Sequence, residues 1–235
     1  MRLDKILAHL GYGSRKDVKK IIRAGLVLVN GEVLRDDDAH VDTDNDEIIV
    51  GDDTLEYAEK VYWLMNKPQD VVSATVDPRY PTVIDLLPSN AGHGLFPIGR
   101  LDIDTEGLLV VSNDGALAHR LLSPKKHVDK EYEVELAKDW DPRYEMELSD
   151  GILIQDPEYQ CKPASVIVIE SRKIRIVISE GKYHQVKRMM AACDNEVLHL
   201  RRIRMGGLTL DPQLLPGEFR PLTTLELEQL QKTHG

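Results

Sequence analysis

Only two cysteines, Cys161 and Cys193, occur in 235 residues, and they form no C-x-x-C pair. That excludes a disulfide framework and a cysteine-built zinc site, and it points to a reducing, cytoplasmic setting. No apolar run approaches the roughly 18 residues that a membrane-spanning helix needs. The opening stretch MRLDKILAHLGYG has an early aspartate and lacks the apolar centre of a signal peptide, so no membrane association is expected. The patterns G-x-x-x-x-G-K-[ST], G-x-G-x-x-G, H-E-x-x-H and G-x-S-x-G are all missing. The histidines are scattered; His119 and His127 stand eight apart, a spacing that suits no helical ligand pair. No metal site is expected.

A surplus of positive charge is missing too. The net charge is −10, which as a sum opposes nucleic-acid binding. The distribution says otherwise. Residues 1–35 carry eight Lys or Arg against three acids, residues 36–59 carry eleven acids and no Lys or Arg, and residues 172–204 carry nine basic side chains against three acidic ones. Phosphate affinity follows local patches rather than the total. The length and the hydrophobic content of 42% suit one large domain or two smaller ones with ample core.

The first fifty residues read as a self-contained module. Leu3, Ile6, Leu7 and Leu10 share one helical face. Ser14, with Asp17 three residues on, is a capping box that opens a second helix. Val18, Ile21 and Ile22 form its buried stripe; Lys16, Lys20 and Arg23 share another, with Arg15 and Lys19 beside it. Gly25 ends the helix. LVLVNGEVLR is a hairpin about an Asn30-Gly31 turn, and DEIIV supplies a further short strand. The basic helix either docks a phosphate backbone or is a solvated face. The acidic stretch from Asp36 to Glu59 reads as a loop, one strand and a solvated linker that repels nucleic acid. The expected boundary falls between residues 58 and 59.

From about residue 61 strands follow in succession. VYWLMNKP runs into a turn at Pro68, and GLLVVSNDG is a buried strand ending in a turn at Asn113-Asp114-Gly115. ALAHRLL is a short helix. KEYEVEL, ASVIVIE and KIRIVISEG are further strands. This pattern implies an α+β fold: a mixed, mostly antiparallel sheet with helices on one side.

Three segments carry the candidate chemistry. In GRLDIDTEGLLVV, Asp102 stands before a strand, beside Arg100. A carboxylate near a cation is favoured in its charged, nucleophilic form; the competing reading is a polar turn built from Asp102, Asp104, Thr105 and Gly107. In EGKYHQVKRMM, Val186, Met189 and Met190 make a buried helical stripe. Lys182, His184, Lys187 and Arg188 join LRRIR at 200–204 in a basic cluster suited to phosphates. In SPKKHVDKEYEV, Lys125, Lys126 and Lys130 precede Tyr132 on a strand, an arrangement that either stacks on a base or is an ordinary strand tyrosine.

These segments occur in this order, with NKPQDVVSAT before them and MGGLTLDPQLLPGEFRPLT after, in a known family. The chain resembles the RsuA-type pseudouridine synthases over nearly its whole length, and its first fifty residues resemble the S4-like RNA-binding domain. The resemblance implies an S4-like domain with acidic linker over 1–58 and a pseudouridine synthase domain over 59–235. It implies isomerisation of one uridine in ribosomal RNA without a cofactor. Small-subunit 16S rRNA, at a uridine-516-type site, fits the small module and short C-terminus. A 23S-acting relative, or an RNA-binding assembly factor without catalysis, is the alternative.

Carried residue by residue, the resemblance makes Asp102 the nucleophile and Tyr132 the active-site tyrosine that packs on the base. Lys187 becomes the basic partner of the aspartate, and Arg100 an RNA contact that helps hold the flipped base. His184, Gln185, Lys182 and Arg188 are further expected RNA contacts, with Arg15, Lys16, Lys19, Lys20 and Arg23 on the basic helix. Lys182 replaces the family's frequent arginine and keeps the charge without the bidentate fork. The turn at Asp104-Thr105-Glu106-Gly107 is expected to position Asp102, and Leu101, Ile103 and Leu108 to keep its pocket dry. The expected partner is ribosomal RNA, within a small-subunit assembly intermediate. A monomer is the default state.

Overall fold

The computed structural model describes residues 1–43, 45–55, 60–123, 126 and 128–231. They form two compact units, 1–61 with 87–95, and 62–86 with 96–235. The expected boundary at 58/59 lies outside the described residues.

The first unit opens with α1 (Leu3–His9) and α2 (Arg15–Arg23), followed by β1 (Val27–Val29), β2 (Glu32–Val33), β3 (Ile48–Val50) and β4 (Asp53–Leu55) in a sheet of order β2-β1-β3-β4. Leu3, Ile6, Leu7, Val18, Ile22, Val27 and Ile48 form its core. The Ser14 side chain accepts from the Asp17 amide and caps α2. The capping box is not reciprocal: the Asp17 carboxylate takes the Ser14 hydroxyl at 2.5 Å. Asn30 and Gly31 both have positive φ, as a two-residue hairpin turn requires.

The acidic stretch departs from expectation twice. It holds a second strand, β4, paired with β3. Nor is it all solvated linker, because Asp37 and Asp38 fold back onto α2. Lys19 Nζ lies 2.9 Å from Asp37 Oδ2 and 3.2 Å from Asp38 Oδ1, and Arg23 lies 3.0 Å from Asp37.

The second unit contains β5 (Tyr62–Lys67), β6 (Phe96–Ile98), β7 (Glu106–Ser112), α3 (Gly115–Leu122), β8 (Lys130–Leu136), α4 (Arg143–Ser149), β9 (Leu153–Ile154) and β10 (Tyr159–Gln160). Then come β11 (Ser165–Glu170), β12 (Lys173–Ile178), α5 (Gln185–Ala192), β13 (Val197–Met205), β14 (Leu208–Thr209), β15 (Phe219–Pro221) and α6 (Thr224–Gln231). Its main sheet has the order β11-β12-β8-β13-β7-β5-β15, with β14 beside β13 and β6 beside β7. Among the described residues β13 and β7 form its one parallel strand pair, so the sheet is mixed and mostly antiparallel. β7 is buried on both faces, which accounts for its continuous apolar run. β8 and β12 alternate buried and partly exposed positions, and the cross-strand pair Arg175–Glu133 closes at 2.9 Å. Asp114 caps α3 by accepting from the amides of Ala116 and Leu117, so the expected turn is the start of that helix.

Glu106 and Gly107 begin β7 and are not part of the expected positioning turn. Gly107 has φ +106°, and a Cβ there would meet the Arg202 carbonyl oxygen at 2.2 Å. Only glycine lets β13 run parallel against β7 at this point.

Candidate active site

Asp102 sits in the loop that feeds β7. The Thr105 amide donates to the Asp102 carbonyl at 3.1 Å, so the turn that presents the carboxylate is Asp102-Ile103-Asp104-Thr105. The segment after β5 clamps it. Lys67 is fully buried, and its ammonium donates to the carbonyls of Pro68 and Thr105 at 2.9 Å and of Ile103 at 3.4 Å. The Asp70 amide also donates to the Ile103 carbonyl, at 2.9 Å. The Ser73 hydroxyl accepts from the Leu101 amide at 3.0 Å and lies 2.9 Å from the Leu101 carbonyl. Burial pulls the Lys67 ammonium down to about 8, against the opposing pull of Asp104, Asp102, Glu106 and Asp70. Sequence reasoning missed Lys67 and Ser73. The one available signal was a lysine ending an apolar strand just before a proline.

A cleft of about 70 Å³ opens beside the turn, lined by Arg100, Leu101, Asp102, Thr105, Tyr132, Ile178, Gly181, Lys182, His184, Gln185, Val186 and Leu200. Segments far apart in sequence converge here, and they bring together Asp102, Tyr132, Arg100 and His184. Leu101 supplies apolar wall, as expected. Leu108 does not, being buried in the core with Leu64, Ile98 and Val110. Tyr132 reaches the cleft from β8 and is almost fully buried.

The ion pairs differ from the simplest expectation. Arg100, the cation next to Asp102 in sequence, is exposed. The partners in space are Lys187 from α5, with Nζ 3.5 Å from Asp102 Oδ2, and His184, with Nε2 3.6 Å from Asp102 Oδ1. Lys187 also binds Asp104 at 2.5 Å. Burial works to raise the Asp104 carboxyl, but the hydrogen bond and charge of Lys187 hold it below the usual carboxylate range. Lys187 therefore ties both carboxylates of the turn to α5.

Several expected RNA contacts are committed inside the protein. Gln185 is buried; its side-chain oxygen accepts from the Lys182 amide and its nitrogen donates to Glu180, both at 3.0 Å. It shapes the loop rather than offering a free amide. Arg188 donates to the carbonyls of Gln155 and Tyr183 at 2.7 and 3.0 Å and also to that of Pro157, which pins the β9–β10 hairpin to α5. Within LRRIR, Arg202 is buried and donates to the Leu108 carbonyl at 2.8 Å, and Arg204 pairs with Glu131 at 2.7 Å. Lys130 is buried against the Val128 carbonyl, and burial pulls it down to about 8. Buried cations of this kind serve the framework, so the cluster is less basic at its surface than its sequence suggests. Lys182 stays exposed, its ammonium 4.1 Å from the centre of the Tyr159 ring. Lys126 is exposed, and Lys125 lies outside the described residues.

In the first unit Arg15, Lys16, Lys20 and Arg23 are exposed along α2, with Lys19 half-buried. Arg15 pairs with the buried Asp4 at 2.7 Å and Lys20 with Asp17 at 3.2 Å. Among the described residues no three His, Cys, Asp or Glu side chains converge where a metal ion could be held. Nor is any helix long and apolar enough to cross a membrane.

A carboxylate on a clamped turn, opening into a cleft with a buried tyrosine and the cations Arg100 and Lys182, joined in one chain to a small module with a basic helix, fits an RNA-modifying class of protein. Comparison makes this specific. Residues 61–192 match the RNA pseudouridylate synthase family and residues 1–48 match the S4 domain. The chain is 49% identical to an uncharacterized RNA pseudouridine synthase of Bacillus subtilis, with 99% of each chain covered. It is 40% identical to ribosomal small subunit pseudouridine synthase A of Yersinia pestis over the full length of both, and 40% identical to the Escherichia coli K12 protein of that name over 97% of this chain and 98% of the other. A crystal structure of a pseudouridylate synthase superimposes with a TM-score of 0.70 at 38% identity, covering 98% of this chain and 99% of that one. The chain belongs to the RNA pseudouridylate synthase family, as an RsuA-type member with an N-terminal S4 domain.

Proposed function

We propose that this protein converts one uridine of small-subunit ribosomal RNA, at a uridine-516-type site, to pseudouridine, with Asp102 as the nucleophile. The observation that carries the reading is the placement of Asp102: its carboxylate is 26% exposed at the cleft, on a turn whose backbone is clamped by Lys67, Asp70 and Ser73. The full-length identity to proteins named for the small subunit supports the choice of RNA.

The reaction breaks the C1′–N1 bond, rotates the uracil and joins C5 to C1′; the proton on C5 leaves and N1 takes one up. Nothing is oxidised and no group is transferred, so one well-placed carboxylate and one proton acceptor suffice. Asp102 attacks the flipped nucleotide. Tyr132 packs on the uracil and is the candidate acceptor of the C5 proton. Arg100 at the rim holds the extruded nucleotide and offsets part of the unstacking cost of a few kcal/mol. Lys187 and His184 hold the carboxylate in place. The basic side chains of α2 dock the RNA backbone, and the substrate is a partly assembled small-subunit particle in the cytoplasm.

The test is tritium release from small-subunit and large-subunit rRNA transcripts labelled at uracil C5, with and without bound ribosomal proteins, followed by carbodiimide mapping of the product. Release at one small-subunit position supports the proposal. Release from large-subunit RNA alone reassigns the substrate, and tight binding with no release from either RNA leaves an assembly factor.

A further inference from the structure

The loop before α5 carries one side chain that the reaction does not use. Tyr183 is 70% exposed. Its ring lies against that of His184, with centroids 3.8 Å apart and planes 18° from parallel. His184 in turn lines the cleft and sits 3.6 Å from Asp102. The two rings therefore make a short stack that starts at the catalytic carboxylate and ends in solvent.

The stack is held from its backbone. His184 has φ +47°, a left-handed conformation that turns the chain sharply ahead of α5. The Tyr183 carbonyl accepts from Arg188 at 3.0 Å, and Arg188 is itself fixed on the Gln155 carbonyl at 2.7 Å. Gln185, next in the chain, is tied to Glu180 at 3.0 Å. Glu180 also accepts from the Tyr159 hydroxyl at 2.6 Å and the Lys162 amide at 2.9 Å. A large aromatic ring left in water forgoes the stabilisation of burial. Here it is held on a rigid base, one ring removed from the reacting group.

We infer that Tyr183 is a stacking platform for an unpaired base next to the target uridine, and so a positioning residue that sets where the RNA strand enters the cleft. The inference rests on the reading of the cleft as an RNA-modifying site. Flipping a uridine out of its helix breaks its stacking with both neighbours. An aromatic face beside the cleft replaces one of those contacts, and it accepts any base because every base has a π-face. The stack forms in the bound state and persists through the reaction, so its loss raises KM and spares kcat.

The experiment measures KM and kcat by tritium release from small-subunit rRNA for wild type, Tyr183→Ala, Tyr183→Leu and Tyr183→Phe, with thermal unfolding of each. Once the modified uridine is mapped, 2-aminopurine is placed on either side of it. Tyr183→Ala and Tyr183→Leu should raise KM about tenfold, with kcat and unfolding temperature nearly unchanged, and Tyr183→Phe should match wild type. One flanking 2-aminopurine should be quenched by wild type and Tyr183→Phe but not by Tyr183→Ala. An unchanged KM, a Tyr183→Leu variant that behaves as wild type, or a loss confined to kcat overturns the inference and leaves the pseudouridine synthase reading standing. A wild-type protein that forms no pseudouridine in rRNA overturns both.

Discussion

Lys67→Met separates the clamp on the Asp102 turn from the stability of the fold. Methionine keeps most of the apolar stem and loses the ammonium. Two hydrogen bonds at 2.9 Å and one at 3.4 Å disappear, and bonds from a charged donor contribute about 1.5–3 kcal/mol each. Against that stands the strain of burying the charge. Lowering the ammonium from 10.5 to about 8 corresponds to roughly 3 kcal/mol at neutral pH, at 1.36 kcal/mol per unit, taken as an upper bound. The bonds outweigh the strain, so the variant should lose about 1–6 kcal/mol in urea denaturation. Activity should fall as well in the protein that stays folded. The lost bonds fix the Ile103 and Thr105 carbonyls, which belong to the turn holding Asp102, and a displacement near 1 Å at a reacting group costs about 100-fold. Single-turnover tritium release reads this directly. A folded Lys67→Met enzyme with wild-type single-turnover rate would refute the clamp.

Gly107→Ala should destabilise by about 3–5 kcal/mol in urea denaturation, from backbone strain and the clash with the Arg202 carbonyl; a loss below about 1 kcal/mol would contradict the close approach of β13. Replacing both Asp37 and Asp38 by Asn releases Lys19 and Arg23 from those two carboxylates, so RNA affinity should rise and its salt dependence steepen, while Lys16→Glu with Lys20→Glu should weaken binding and flatten the slope. Unchanged slopes in both would remove α2 from the RNA interface. The hydrogen bond from Arg2, aided by Arg15, holds the Asp4 carboxyl down to about 2. That stability is present above the unfolded value of about 4 and is lost as pH falls from there towards 2. Asp4→Asn should therefore flatten the pH dependence of unfolding in that window, and a curve as steep as wild type would refute the pairing.

What sequence could show depended on how local the cause was. The Ser14 cap, the Asn30-Gly31 turn, the apolar run of β7 and the alternation of β8 lie within a few residues of their effects, and each element formed where its pattern placed it. The family motifs hold Asp102, Tyr132 and His184, which line one cleft, and Lys187, which reaches Asp102 from α5. What residue type did not show was the partners within the fold. Arg188 and Gln185 read as RNA contacts, and in the fold one binds a hairpin 31 to 33 residues away and the other a carboxylate five residues back. Lys67 and Arg202 were hidden because a buried cation that donates to backbone carbonyls leaves no trace in residue type. Asp37 and Asp38 read as repelling RNA, but which basic side chains they meet is set by the return of the chain past α2. β4 was missed because Asp53 and Thr54 are exposed and show no apolar alternation.

The most direct test of the account is Asp102→Asn on C5-tritiated small-subunit rRNA. The contacts of Asp102 with Lys187 and His184 are long, at 3.5 and 3.6 Å, so the amide should leave folding and RNA binding intact. The account predicts no tritium release and no pseudouridine with undiminished affinity. Turnover by Asp102→Asn at the wild-type rate would place the nucleophile elsewhere.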